Sequence, residues 1–416
     1  MSSDTLVQKA RKWIGAIPNN WRYVPLKYVC EYNKETLLNN TNPTYEFDYI
    51  DISSVNLEDG ICLVERMMFK DAPSRARRVV RAGDVIMSTV RTYLKAIAVV
   101  PDHVFPMVAS TGFLVARAKQ NIMPSFLGYV LKSHSFVSAI EMQSVGVSYP
   151  AINSSDAVKN YIPLPPKKVQ ETIVSYLNLR CAPIDEAISR HRQAIDKLEE
   201  YRRAIISCVI GGQAEEVDSS GWTWKRFKFI ACVDSNLVEP NKYANWLHIA
   251  PDAIGKGNGK LLQKHTVSED GVVSSNHLFR KGAILYSKVR PRLNKVVVAP
   301  DDGLCSADMY PISTTQNVEW LKFYMLSDQF VEQAGLVSDI RIKMPKINKQ
   351  ELGDIKILVP PPNVQIEIVS RLNAQCYAID EAIGRQNQII DKLVEYRRSL
   401  IHVAVTGQID CTKEPL

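Results

Sequence analysis

The chain has 416 residues, 51 Lys and Arg against 44 Asp and Glu, a formal charge of +7 and 46% hydrophobic residues. That length suggests two to three domains with ordinary cores, and the mild basicity is compatible with a nucleic-acid surface without establishing one. No apolar run approaches the roughly 20 residues of a membrane span, and the first residues lack the apolar stretch of a secretion signal, so a cytoplasmic protein is expected. The eight cysteines form no C-x-x-C pair, and neither they nor the seven histidines show zinc spacing; free thiols in a reducing compartment and no metal are the expectation.

In chain order, the first variable stretch offers strands at 47–52, 85–87, 96–100 and 113–115, divided by turns such as Asp59-Gly60, and a helix at 124–132. Pro165-Pro166 then ends a strand and opens a helical stretch. Its residues Ile184, Ile188, His191, Ile195, Leu198, Arg202, Ile205 and Val209 alternate in steps of four and three, the 3.5-residue seam of a coiled coil. Pro183 should kink this helix near its start, and Gly212 suits a left-handed cap at its end. A second variable stretch follows, with strands at 247–249, 284–286 and 295–298 and a helix at 318–326. Pro360-Pro361-Pro362 opens the second helical stretch, whose seam is Ile379, Ile383, Gln386, Ile390, Leu393, Arg397, Leu400 and Ala404, with Gly407 as its cap.

These stretches are a duplication. Residues 162–213 match 357–408 without a gap at more than half their positions, at an offset of 195 that carries Pro165 onto Pro360. Such self-similarity means repeated structural units. Weaker landmarks recur in the variable stretches: Ser88-Thr89-Val90-Arg91 parallels Ser287-Lys288-Val289-Arg290, Tyr149-Pro150-Ala151-Ile152-Asn153 parallels Met344-Pro345-Lys346-Ile347-Asn348, and Trp21 with Leu26-Lys27 parallels Trp222 with Phe227-Lys228. The fold expected is α+β: two α/β domains separated by two long helices that form an antiparallel coiled coil, with an internal pseudo-two-fold repeat. The boundaries read are 1–163, 164–214, 215–358 and 359–416.

Catalytic motifs are missing. Leu164-Pro165-Pro166-Lys167 and Val359-Pro360-Pro361-Pro362 lack the polar residue and the aromatic of an adenine methyltransferase loop. Gly255-Lys256-Gly257-Asn258-Gly259-Lys260 lacks the spacing and the hydroxyl of a phosphate loop and reads better as a flexible loop. Pro101-Asp102 and Pro251-Asp252 have no acidic-x-Lys partner for a nuclease core. A non-enzyme is expected.

The sequence resembles the specificity subunits of Type I restriction-modification systems, and the resemblance covers nearly the whole chain. It is carried by Ile17-Pro18-Asn19-Asn20-Trp21, by Ile162-Pro163-Leu164-Pro165-Pro166 with Gln170 and Ile173-Val174, by Pro360-Pro361 with Gln365 and Ile368-Val369, and by Val405-Thr406-Gly407-Gln408. The second variable stretch opens at Trp222 after Asp218-Ser219-Ser220-Gly221 in place of the Ile-Pro start. The resemblance implies two target-recognition domains that read a bipartite, gapped site on double-stranded DNA. It also implies two adenine methyltransferase subunits and restriction-translocase subunits as partners, with S-adenosylmethionine and ATP with Mg belonging to those partners and no cofactor in this chain. A helix of about 25–30 residues spans about 40 Å, close to the roughly 34–36 Å turn of B-DNA, so two readers on such a rod could address grooves one turn apart.

Arginine and lysine supply phosphate contacts, and arginine can also read guanine. The candidates in the first domain are Arg75, Arg77, Arg78 and Arg81 in the densest basic stretch, Ser88, Thr89, Arg91 and Lys95 after a strand, and Ser148 and Tyr149 in a later loop. In the second domain they are Ser287, Lys288, Arg290, Arg292 and Lys295, with Arg341, Lys343 and Lys346. Arg202, Arg203, Arg397 and Arg398 recur within the helices and point to a partner interface or to the seam. A coiled-coil adaptor that reads no DNA, or a fused restriction or methylation enzyme, are the other readings; divergence of the two domains on one scaffold speaks against the first and the missing motifs against the second.

Overall fold

The computed structural model describes residues 13–146, 149–214, 219–341 and 343–413. It resolves into two compact units, Met1–His191 with Gln388–Leu416, and Arg192–Asn387. The two seam-bearing stretches are helices of 44 residues each, Lys167–Ile210 and Pro362–Val405. They are longer than the seam suggested because the proline openings lead straight into the first turn, where proline has the right φ and no N–H to leave unpaired.

The glutamine of each opening has a clear task. Gln170 is fully buried; its side chain accepts from the Met123 amide at 2.8 Å and donates to the Pro165 and Asn121 carbonyls. Gln365, equally buried, accepts from the Asn317 amide at 3.0 Å and donates to the Pro360 carbonyl and the Gln316 side chain. Each long helix is thereby tied at its start to the loop before the first helix of its own domain. The kink expected at Pro183 does not interrupt the first helix, although the missing N–H leaves the Leu179 carbonyl without its helical donor. Both helices end on left-handed glycines, Gly212 and Gly407, with the Gln213 and Gln408 amides reaching back to the Cys208 and Val403 carbonyls, the double closure of a Schellman cap.

Each unit contains the opening part of one long helix and the closing part of the other. In the first, Val169 and Ile173 line one cavity with Gly407 and Ile409, while Asp185 pairs with Arg397; the segments run antiparallel. In the second, Ile206, Val209 and Ile210 share a core with Ile368 and Leu372, and Arg202 pairs with Asp380, again antiparallel. These are the same pair of positions in the repeat, with the roles of the two helices exchanged.

The domain in the first unit stacks two four-stranded sheets. One has the order Glu65–Met68, Glu46–Ile50, Met107–Ser110, Ala76–Val80; the other Cys30–Tyr32, Phe113–Ala118, Val85–Ser88, Ile97–Val99. Alternation along the strands explains the layers. Ile86, Phe113 and Val115 face the first sheet with Ile50, Val80 and Met107, whereas Val85, Met87, Leu114 and Ala116 face helices Pro124–Lys132 and His134–Gln143. The second unit repeats this. Its sheet of order Ala231–Val233, Met309–Thr314, Ile284–Ser287, Val296–Val298 lies between a five-stranded sheet and helices Val318–Leu326 and Asp328–Ser338. In both domains the first and last strands pair with each other, Tyr23 opposite Pro163 and Trp224 opposite Leu358. Among the described residues no helix is long and apolar enough to cross a membrane, and no group of His, Cys, Asp and Glu is arranged to hold a metal ion.

Candidate nucleic-acid interface

In both domains the strand Val85–Ser88, or its counterpart Ile284–Ser287, runs into a loop of the same shape. Arg91 and Arg290 adopt left-handed backbone conformations, φ 51° and 50°, a short 3-10 turn follows, and a second left-handed residue closes it, Lys95 or Asn294. The structural partner of Lys95 is therefore Asn294, one position before Lys295. The Lys295 ammonium turns inward to the Pro251 carbonyl. Such conformations cost L-residues about 1–2 kcal/mol, so the loop is held in place by something.

The holding groups are the serines. Ser88 and Ser287 are among the DNA-binding candidates from sequence, but both are buried. Each hydroxyl donates to the carbonyl two residues ahead, Ser88 to Val90 at 2.6 Å and Ser287 to Val289 at 3.1 Å. Thr89, also buried, donates to the Gly112 carbonyl. These hydroxyls fix the loop from beneath and present nothing to a ligand.

The second predicted loop packs directly on the first. Val90 bridges Ala151 and Val289 bridges Lys346; the Ile152 and Ile347 amides donate to the Thr89 and Lys288 carbonyls at 2.9 and 3.0 Å. The Arg91 guanidinium lies 4.6 Å from the centre of the Tyr149 ring, which is 61% exposed. Ser148 lies outside the described residues. Arg91 and Arg290 are exposed, and neither makes an ion pair among the described residues. An exposed arginine free of acids, carried on a fixed backbone, is suited to receive a phosphate oxygen or a base edge.

Most other candidates are already engaged. Arg75 pairs with Asp51 at 3.1 Å and Arg81 with Glu35 at 2.8 Å. Arg77 lies over Phe69 at 4.7 Å, and Arg78 is partly buried, which pulls its pKa down. Lys95 is 3.6 Å from Glu141. Lys288 donates to the Ala307 carbonyl at 2.6 Å, Arg292 is clamped on Asp339, Lys346 faces Asp308 at 3.4 Å, and Arg341 makes a two-pronged pair with Glu351 that holds that carboxyl below its ordinary range. Lys343 is exposed. Among the described residues, Arg91, Arg290 and Lys343 are the candidate cations of the two domains left without an ion pair or a hydrogen bond, with Tyr149 beside Arg91. Tyr93 and Leu94, both exposed in the turn after Arg91, escaped the sequence reading; an aromatic two residues past the loop arginine was the available signal.

Of the four helix arginines, Arg202 is buried against Asp380, and Arg397 is 12% exposed against Asp185 at 2.6 Å. Both belong to the seam, which leaves no guanidinium there for a partner. Arg398 reaches Glu58 in the hairpin 55–61 at 2.7 Å, and Arg203 is exposed. The glycine-rich segment is an ordered hairpin, with Ile254 bridging Leu261. Its Lys260 lies 2.7 Å from Asp380, so in each unit one hairpin of the domain is tied by charge to a long helix.

Two domains of one topology, each presenting an arginine on a rigid loop and each built onto paired helices, define a duplicated recognition subunit. Comparison with known proteins says which. Residues 18–200 match the Type I restriction modification DNA specificity domain. The chain is 30% identical over 317 residues to the Type I restriction enzyme EcoDI specificity subunit of Escherichia coli, covering 69% of this chain and 70% of that one. It is 21% identical over 437 residues to the EcoKI specificity subunit of Escherichia coli K12, covering 95% and 90%. A solved chain from work on complex assembly and conformational transition of the type I R-M system superposes with a TM-score of 0.62 at 24% identity, over 95% of this chain and all of that one. The chain belongs to the family of Type I restriction enzyme specificity subunits. Its role is DNA sequence specificity, and catalysis lies in other subunits.

Proposed function

We propose that the chain reads a bipartite, gapped sequence in double-stranded DNA, one half-site per domain, and directs adenine methylation and restriction by its partners in the cytoplasm. The observation that carries this reading is the repeated loop: Arg91 and Arg290 share one backbone geometry, one buried serine brace and one exposed setting, in domains that differ nearly everywhere else. A shared arginine suits the shared feature of all DNA, the phosphate chain, and the divergent surroundings suit two unlike half-sites. Two methyltransferase subunits supply S-adenosylmethionine chemistry, and restriction-translocase subunits supply ATP-driven steps with Mg. This chain contributes neither cofactor.

The experiment is a methylome. The chain is co-expressed with its cognate methyltransferase subunit in a host free of adenine methylation, and methyl-adenine is mapped by long-read sequencing. Methylation at one asymmetric gapped motif, lost without this chain, is the expected result. Motif-free methylation, or none from a folded and associated complex, would overturn it.

A further inference from the structure

A duplicated chain supplies its own comparison: an exposed feature kept in both halves serves something both halves meet. Reading two different half-sites drives the domains apart, so such features stand out. One is an exposed aromatic preceded by a lysine. In the first unit Tyr28 is 61% exposed, with the Lys27 ammonium 5.1 Å from its ring centre. In the second, Phe229 is 72% exposed, with Lys228 at 5.8 Å. The flanking residues are ordinary core, Leu26 and Val29 in one and Phe227 and Ile230 in the other. One backbone contact recurs, since the Leu26 amide donates to the Asn160 carbonyl and the Phe227 amide to that of Ile355, positions related by the repeat.

Topology separates this feature from the candidate DNA loop. The central strand Phe113–Ala118 begins opposite Ser88, where the Arg91 loop starts, and ends opposite Cys30, two residues past Tyr28. The strand Met309–Thr314 likewise begins opposite Ser287 and ends opposite Ala231, two residues past Phe229. Six residues of strand place the two features about 17 Å apart, at opposite ends of one sheet. Whatever meets Tyr28 and Phe229 approaches each domain from the end away from the arginine loop.

The surroundings are cationic in the second unit and mixed in the first, where Glu31 lies near Lys119. In the second unit Trp224, 62% exposed, and Phe229 line an open cleft of about 900 Å³ with Lys225, Arg226, Gln333 and Lys356. The nearby acid is Asp354, engaged by both Arg226 and Lys228 at 3.3 and 2.9 Å and held below its ordinary pKa by them. In the first unit Lys119 reaches the Lys27 carbonyl, and Arg22 is exposed on the adjoining strand. An exposed aromatic ringed by lysine and arginine fits an apolar socket with an acidic rim.

We infer that Tyr28 and Phe229 are equivalent docking points for a protein subunit bound once per unit, through an apolar socket bordered by carboxylates. This rests on the proposed function, which supplies a partner present in two copies; the structure adds where each copy would be gripped. The seam arginines Arg202 and Arg397 are closed on their own aspartates and offer such a partner no free charge.

The test uses the full chain with its cognate methyltransferase subunit, titrated by sedimentation velocity and native mass spectrometry. Tyr28→Ala and Phe229→Ala should each weaken one binding step by about tenfold or more, as loss of an interface anchor does, and the double variant should weaken both. Lys27→Glu and Lys225→Glu leave the rings in place and should weaken association more at low salt than at high salt. DNA binding by the variant chains alone should keep the wild-type affinity and salt dependence. Wild-type association in the folded double variant overturns the inference, as does a variant that keeps its partner and loses DNA. Wild-type complexes that assemble but methylate without a motif would instead count against the proposed function, so the two failures are distinguishable.

Discussion

Arg91→Ala is the most discriminating perturbation of the DNA reading. The side chain is exposed, lies against the Tyr149 ring and makes no ion pair among the described residues, so its whole charge is available to a phosphate. Losing one phosphate contact lowers the slope of log affinity against log salt by about 0.9. Between about 50 and 200 mM salt, that difference narrows the gap between wild type and variant about 3.5-fold. Arg290→Ala should do the same at the other half-site. Arg91→Gly separates contact from fold: glycine relieves the left-handed backbone cost of roughly 1–2 kcal/mol, so the domain should be at least as stable while DNA binding still weakens. Arg292 is the control. Its charge is already matched by Asp339, and replacing both residues by alanine should leave the slope where it is. Fluorescence anisotropy across a salt series, with melting curves for each protein, reads all of this. Unchanged slopes in folded Arg91→Ala and Arg290→Ala would remove both loops from the interface.

Three further outcomes follow from the same geometry. Asp380→Ala leaves Arg202, only 4% exposed, as a buried charge and should cost about 3 kcal/mol; Asp185→Ala should cost clearly less, because Asp185 is 47% exposed, and hydrogen exchange in each unit would show equal losses if this account is wrong. Burial pulls Lys132 down to about 8. Between that value and the unfolded value of about 10.4 the unfolded chain binds more proton, so stability should rise from pH 8 toward pH 10. Lys132→Met should be stabler at neutral pH and lose that rise, and a flat wild-type profile would refute the assignment. Ser88→Ala should lower stability by about 1 kcal/mol and Ser287→Ala by less, its hydrogen bond being longer; no shift in either melting curve would mean that the serines do not brace the loops.

The repeat made the architecture legible. Period and caps located both long helices, and two short helices emerged with the expected ends, Pro124–Lys132 and Val318–Leu326. Helix length was underread because the first turns after the proline openings carry no seam. The candidate site was legible only as a set of loops. Sequence shows where arginines are dense, as at 75–81, yet not that Asp51 and Glu35, 24 and 46 positions earlier, would be folded against Arg75 and Arg81. It also misjudged the serines, whose hydroxyls look the same in sequence whether they face a phosphate or the carbonyl two residues on. Nor does sequence show that the position equivalent to Lys95 is Asn294 and not the neighbouring Lys295, which only the two left-handed backbones reveal.

The exchange of helix ends between the units has a consequence for synthesis. Leu400, Ile401, Ala404 and Val405 are buried in the same core as Phe126, Leu131, Leu177 and Ile184, and Arg397 meets Asp185 across 212 residues. The first domain therefore waits, with apolar surface uncovered, until the second long helix has been made. Non-local closure of this kind is slow and leaves intermediates open to aggregation. A stalled or shortened translation product lacking the second helix would strand the first domain unfinished, and the cell's chaperones would meet that face before any partner subunit could.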